Sequence, residues 1–151
     1  MASVQRPAIL QTTRTRLFAL PVPRSLGTAM APLPTLDIIL ACAERQSPNL
    51  ARCVAKLQRE LLGVPGELLL VASPEALPQA RACATAAGVR LLESTGRLVP
   101  ELWADGWRET GRDAVGFLIP ECLVRPGWAR TLLGELVPGV AAAGGYFALD
   151  T

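Results

Sequence analysis

The chain has 151 residues, half of them apolar, a length that suits one domain with a sizeable core. It contains no histidine, which excludes the common zinc sites with histidine ligands and every catalytic pair that uses a histidine base. Of 15 basic and 13 acidic residues, four arginines and no acid fall in residues 1–35, so the remainder lacks the basic surface of a nucleic-acid binder.

Residues 1–35 show no sustained helical or strand period, and Pro7, Pro21 and Pro23 interrupt any amphipathic helix. We interpret this segment as a flexible leader, or as an extension upstream of a natural start at Met30. No apolar run in the chain approaches the roughly 20 residues of a membrane-spanning helix, so no transmembrane segment is expected.

From residue 36 onward, strand-like and helix-like patterns alternate. The short apolar run at 36–43 predicts a strand that is buried on both faces. Apolar residues at helical spacing predict a helix between Ser47 and Gly63, where glycine ends it. A second strand is predicted at 66–72 and a second helix at 73–88.

The alternation continues to the end of the chain. We predict a third strand at 89–94, a helix at 98–111, a strand at 113–119, a helix opened by proline at 126–136, and a final strand at 139–149. Such alternation indicates an α/β domain, a three-layer sandwich with a mostly parallel central sheet and helices on both faces. The domain is predicted to span residues 36–151.

Four cysteines are widely spaced and form no Cys-x-x-Cys pair: Cys42, Cys53, Cys83 and Cys122. Each lies among apolar residues, which is typical of a small buried side chain in a reducing compartment. The pattern predicts free thiols in the core and a cytoplasmic protein.

Ligands of open α/β sheets bind beyond the carboxyl ends of the strands, where the strand order reverses. This rule directs attention to the loops at 42–47, 72–75, 93–97 and 119–125. None of them carries the glycine-rich phosphate loop of a dinucleotide-binding domain or of a P-loop protein.

The segment GRDAVGFLIPECLVRPGWARTLL, residues 111–133, resembles the metal-loop region of the family 2 glycosyltransferases, whose fold is called GT-A. The family shows there an apolar strand, Asp-x-Asp, Cys or a similar residue, then Pro-Gly-Trp and a Leu-rich helix. The matching residues are Phe117, Leu118, Cys122, Pro126, Gly127, Trp128, Leu132 and Leu133. The stretches DIILACAERQSPNLARCVAKL and GELLLVASPEA resemble the family's first two strand-loop units, so the likeness covers the donor half of a complete member.

The resemblance implies a GT-A-like fold that binds a nucleotide-diphosphate sugar at the ends of its strands. It places the nucleotide-sugar contacts at Cys42, Glu44, Arg45, Ser73 and Gly106. It also implies a divalent cation, Mg or Mn, held by Glu121. Each residue has an ordinary alternative: charged loop residues are commonly solvated, Ser-Pro-Glu is a usual helix start, and a carboxylate often accepts backbone N–H bonds.

The chain departs from the family pattern where the chemistry would occur. The Asp-x-Asp falls on Ile119, Pro120 and Glu121, which leaves one carboxylate where a hard cation wants several oxygen ligands. The acid that ends the family's second strand is replaced by Ala72 and Ser73. The chain also stops before the region that would hold the acceptor site.

Two functions therefore remain open. One is a glycosyltransferase that binds a nucleotide-diphosphate sugar for glycosyl transfer. The other is a non-catalytic GT-A-like domain that acts as a binding or interaction module, since a fold does not confer an activity. Either function is compatible with a homo-oligomer or with a partner protein that supplies the missing half.

Overall fold

The computed structural model describes residues 34–144, in which four strands alternate with four helices. Their bounds are β1 (Leu36–Cys42), α1 (Leu50–Glu60), β2 (Leu68–Ala72), α2 (Leu77–Ala87), β3 (Arg90–Glu93), α3 (Val99–Arg108), β4 (Ala114–Leu118) and α4 (Trp128–Glu135). Every strand and helix predicted between residues 36 and 136 is confirmed, each shorter at its ends by one to a few residues.

The sheet is parallel throughout, in the order β3-β2-β1-β4. The chain steps from β1 outward to β3, and then returns to the opposite side of β1 to form β4. At the centre, Leu40 pairs with Leu70 of β2 on one side and with Leu118 of β4 on the other. The strand order therefore reverses between β1 and β4, which makes the carboxyl ends of those two strands the expected ligand position.

Both faces of the sheet are covered, as the predicted three-layer sandwich requires. Because successive side chains of a strand point to opposite faces, Ile38 and Leu40 of β1 pack in one core with α1, α2 and α4, whereas Ile39 and Ala41 pack in a second core with α3. All seven residues of β1 are buried, which suits its largely apolar sequence. The exception is Asp37, whose carboxylate accepts the Glu67 N–H at 3.1 Å and lies 3.6 Å from Arg112 Nε.

The predicted strand at 139–149 is wrong in its first part. Residues 139–144 form no strand, because Pro138 and Gly139 make a turn in which Gly139 has a φ of 92° and the Val140 N–H donates to the Val137 carbonyl. The remaining residues, 145–149, lie outside the described residues.

The predicted leader lies almost wholly outside the described residues, which begin at residue 34. Its last residue, Thr35, is joined to the loop before β4: its backbone N–H and its hydroxyl both donate to Asp113 Oδ2, at 2.9 and 2.8 Å. None of the helices between residues 34 and 144 has the length and apolarity needed to cross a membrane.

Candidate functional site

A pocket of about 100 Å³ lies at the switch point between β1 and β4. The end of β1 and the loops that follow both strands form its walls, and α1, α2 and α3 each contribute one residue. The lining residues are Ala41, Cys42, Ala43, Glu44, Ser47, Leu50, Gln79, Val99, Ile119, Pro120 and Glu121. The pocket thus occupies the position that strand topology predicts, and it includes three of the six predicted site residues.

The wall formed by the β1–α1 loop is held in place by Gln79 of α2. The Gln79 side-chain carbonyl accepts the Ser47 backbone N–H at 2.8 Å, and its amide donates to the Ser47 backbone carbonyl at 2.9 Å. Ser47 is buried, so both of its backbone polar groups need partners inside the protein. The paired bonds fix the loop against α2.

Ser47 also joins this loop to the loop that follows β4. Its hydroxyl donates to Glu121 Oε1 at 2.9 Å. The Glu121 carboxylate is otherwise exposed, and it sits in a turn closed by the bond from the Cys122 N–H to the Ile119 carbonyl. Gln79, Ser47 and Glu121 therefore form a continuous hydrogen-bonded connection from α2 across the pocket, which we call the relay.

The end of β4 is fixed from the other face of the sheet. The Trp103 indole N–H of α3 donates to the Leu118 carbonyl at 3.1 Å. Trp103 and Trp107 also pack against Phe117, each with ring centroids 5.8 Å from the Phe117 ring. Trp103 thus supports the strand that leads into Glu121, although Trp107 remains 62% exposed.

The residues at the switch point do not fit a protein-held divalent cation. Between residues 34 and 144, no three His, Cys, Asp or Glu side chains lie close enough together to hold a metal ion. Mg²⁺ and Ca²⁺ sites use six or more oxygen ligands, whereas Glu121 offers one carboxylate that already accepts the Ser47 hydroxyl. The two positions before it, Ile119 and Pro120, carry no side-chain oxygen.

Ser73 joins the ends of β1 and β2 and begins the turn into α2. Its hydroxyl donates to the Ala43 carbonyl at 2.9 Å and accepts the Ala76 N–H at 3.2 Å, and its backbone N–H donates to the Cys42 carbonyl. The residue is 1% exposed. Its hydroxyl therefore serves the helix start, as the ordinary interpretation of Ser-Pro-Glu expects.

Cys42 lines the pocket as an uncharged, buried thiol. Burial, followed by the neighbouring Cys83 and Cys53 thiols, raises the pKa of Cys42 to about 12. The four cysteines that the sequence scatters over 80 residues all contact the same core beneath the pocket, and all four are free thiols. The predicted burial in the core is confirmed for Cys42 and Cys53, whereas Cys83 and Cys122 are half-buried.

Glu44 and Arg45 lie in the loop that follows β1 and are both exposed; Glu44 lines the pocket, and Arg45 is the next residue in the chain. Neither forms an ion pair with another residue in the part of the chain that the structure describes. Arg45 is therefore a cation beside the switch point whose charge no described carboxylate neutralises.

Gly106 lies in α3, on the face that packs against the sheet. A Cβ atom at this position would lie 2.6 Å from Ile39 Cγ2 and 3.0 Å from Val71 Cγ2. The glycine allows α3 to approach β1 and β2 closely. It lies between the helix and the sheet and is not a lining residue of the pocket.

A wider, open groove of about 630 Å³ follows the end of β3, lined by Thr95, Gly96, Arg97, Leu98, Glu101 and Asp105. Its polar groups bond to one another: Ser94 donates to Asp105, and Glu101 accepts the Leu98 and Arg97 N–H groups at the start of α3. Those two backbone bonds, with Leu98 first, lower the pKa of Glu101. These hydrogen bonds stabilise the start of α3.

Gln79 was not among the site residues predicted from the sequence, and Ser47 was predicted only as a helix start. A signal for Gln79 was present, because Ala76, Ala80 and Ala84 form the buried stripe of the α2 segment and Gln79 lies beside that stripe. A polar side chain at such a position needs a partner in the interior. The identity of that partner, a loop 32 residues earlier, required the fold.

Comparison with known proteins bears on the fold. No family model matches the chain, and no curated protein sequence is similar to it. Two solved structures of glucosyl-3-phosphoglycerate synthase from Mycobacterium tuberculosis, one in complex with phosphoglyceric acid, are similar at a TM-score of 0.54 and 18% identity. The match covers 70% of this chain and 40% or 41% of those chains. This chain is thus an α/β domain with the fold of GT-A glycosyltransferases, and it matches less than half the length of these neighbours.

Proposed function

We propose that this chain binds a nucleotide-diphosphate sugar for glycosyl transfer, as a donor-binding domain of the family 2 type. The observation that carries the proposal is the pocket at the β1–β4 switch point of a GT-A-like fold. Arg45 follows the lining residue Glu44 in the chain, and its cationic guanidinium suits a diphosphate. The exposed position of Glu44 next to it offers a hydrogen-bond acceptor for a nucleoside.

The small volume of the pocket limits what it encloses. Small-molecule pockets commonly measure about 300–1,000 Å³, whereas this one measures about 100 Å³. We propose that part of the donor enters the pocket while the remainder lies along the exposed rim at Glu44 and Arg45. The acceptor site is proposed to come from outside this donor-binding part, either from further residues or from a partner protein.

A second candidate function is a non-catalytic GT-A-like module that binds a nucleotide without turning it over. The observation that favours it is the single carboxylate at the position of the family's Asp-x-Asp, with Ile119 and Pro120 before it. Both candidate functions use the same nucleotide site, but only the first includes transfer of the sugar to an acceptor.

Thermal unfolding with a panel of ligands tests the shared claim. UDP-glucose, UDP-N-acetylglucosamine and GDP-mannose are added at millimolar concentration, with uridine and guanosine as controls. A ligand that binds only the folded state stabilises it by about 2.7 kcal/mol at a concentration of 100 Kd, so at least one donor is expected to raise the melting temperature. Absence of a shift with every donor would refute nucleotide-sugar binding.

Transfer is tested separately, by release of the nucleoside diphosphate from the donor that binds. Release that depends on an added hydroxyl acceptor supports the transferase. Binding without release supports the non-catalytic module.

A further inference from the structure

We propose that donor binding by this chain is independent of a divalent cation, because Arg45 neutralises the diphosphate and Glu121 acts as the fixed end of the relay that holds the pocket together. The inference rests on the proposed function and states how the site recognises its ligand.

The Glu121 carboxylate has a bonding partner within the protein. One carboxylate oxygen already accepts the Ser47 hydroxyl at 2.9 Å, and Ser47 is held through both backbone polar groups by Gln79. A cation held by both carboxylate oxygens would have to share Oε1 with the Ser47 hydroxyl, which leaves Oε2 as the one oxygen without a partner among the described residues. Loss of Oε1 as acceptor would leave the buried Ser47 hydroxyl unpaired, at a cost in stability. The relay therefore favours Glu121 as a positioning residue.

The diphosphate of the proposed ligand is negatively charged. A diphosphate needs positive charge nearby, and because no cluster of three metal-binding side chains is present between residues 34 and 144, a cationic side chain is the source of charge that the protein itself offers. Arg45 lies in the chain between Glu44 and the relay residue Ser47, and it is exposed without an ion pair among residues 34–144. Its planar guanidinium can donate two parallel bonds to phosphate oxygens.

The loop that carries Arg45 is held by hydrogen bonds on both sides of that residue. The bonds between Gln79 and Ser47 anchor the loop two residues after Arg45, while the Ser73 hydroxyl anchors the Ala43 carbonyl two residues before it. Arg45 thus extends from a short segment that is fixed on both sides. A cation on such a segment loses less conformational freedom when it binds an anion.

Calorimetric titration of the full chain with UDP and with uridine, each in EDTA and again with Mn²⁺, tests the inference. The Kd of UDP is expected to agree within about twofold between the two conditions. Arg45→Ala is expected to raise the Kd of UDP about tenfold, the loss of one charge-assisted contact, without changing the Kd of uridine. Arg45→Lys should recover part of the loss, and Arg52→Ala, on the exposed side of α1, is the matched control.

The relay is tested in the same titrations. Ser47→Ala and Glu121→Ala should weaken UDP binding by one common factor in EDTA and in Mn²⁺, and the double variant should be no weaker than either single variant, because the two residues act through one bond. UDP binding that requires Mn²⁺, with that requirement lost in Glu121→Ala, would overturn the inference while leaving the proposed function standing. A failure of UDP and of every donor to bind in both conditions would overturn both.

Discussion

The Ser47 hydroxyl donates to the Glu121 carboxylate at 2.9 Å, and this bond joins two residues that lie 74 positions apart in the chain. It connects the loop after β1 with the loop after β4 at the point where the strand order reverses. Gln79 extends the connection to α2 by two bonds to the Ser47 backbone. The walls of the pocket are thus held by hydrogen bonds between side chains and loops.

Replacing Gln79 tests whether the relay stabilises the protein. Gln79→Ala leaves the buried Ser47 N–H without its partner and leaves the Ser47 carbonyl with only the Leu50 N–H, and we expect a loss of about 1–3 kcal/mol in the free energy of unfolding. Urea denaturation measures the loss, and hydrogen exchange of the Ser47 amide should accelerate. Arg81→Ala, at an exposed position of the same helix, is the control. Equal stability of the Gln79 variant and the wild type would show that the relay contributes nothing.

Replacing glycine by alanine should have opposite effects on stability at Gly106 in α3 and at Gly134 in α4. Gly106→Ala places a methyl group 2.6 Å from Ile39 Cγ2, so we expect overpacking to destabilise the protein by about 1–3 kcal/mol. Gly134→Ala in α4 meets no neighbouring atom within 4 Å, and the higher helix propensity of alanine should stabilise it by up to about 1 kcal/mol. Denaturant unfolding of both variants measures the difference. A stabilising Gly106→Ala would contradict the packing described for α3.

The loss of stability at low pH should depend on Glu101, at the start of α3. Because Leu98 and Arg97 N–H bonds lower the pKa of Glu101 in the folded state, this carboxyl contributes stability above its unfolded pKa, about 4.3. That contribution is lost as the pH falls through the folded pKa, which lies below that value. Melting temperatures from pH 7 down to pH 3 should therefore fall less steeply for Glu101→Gln than for the wild type. An identical slope in the two proteins would show that the bonds from Leu98 and Arg97 do not favour the ionised carboxyl.

The buried thiols of Cys42 and Cys53 should react more slowly than a solvent-exposed thiol. Burial raises the pKa of Cys42 and of Cys53 to about 12, with the neighbouring Cys122 thiol adding to the effect at Cys53. Because the thiolate is the nucleophile, iodoacetamide at pH 8 should label neither residue in the folded protein and both in urea. Mass spectrometry of the labelled peptides provides the measurement. Rapid labelling of Cys42 in the folded state would mean that the pocket is open to the reagent down to its floor.

The sequence predicted the fold more fully than the site. Strands β1 and β2 are short, largely apolar runs between polar loops, so their length and composition located them. The contribution of Gln79 could not be predicted, because a bond between a helix and an earlier loop exists only after the sheet is assembled. Gly106 illustrates a different limit: the family resemblance implied a ligand contact, which stays a prediction, and the close approach of α3 to Ile39 could not be predicted before the helix was placed on the sheet.

The failure at residues 139–144 has a local physical cause. The segment is apolar and resembles a strand, but the preceding Pro138-Gly139 pair forms a turn, and the residues that follow are largely exposed. Hydrophobic composition therefore indicated a strand where, within residues 139–144, no neighbouring strand pairs with the segment.

The central claim is that a nucleotide-diphosphate sugar binds at the β1–β4 switch point. Backbone amide NMR spectra of the isotope-labelled chain, recorded while the donor that raises the melting temperature is added, test it most directly. The account predicts that the shifted resonances cluster at residues 43–47 and 119–122 and that Arg45→Ala reduces the shifts. Shifts confined to the groove at residues 95–105, or no shifts at saturating donor, would contradict it.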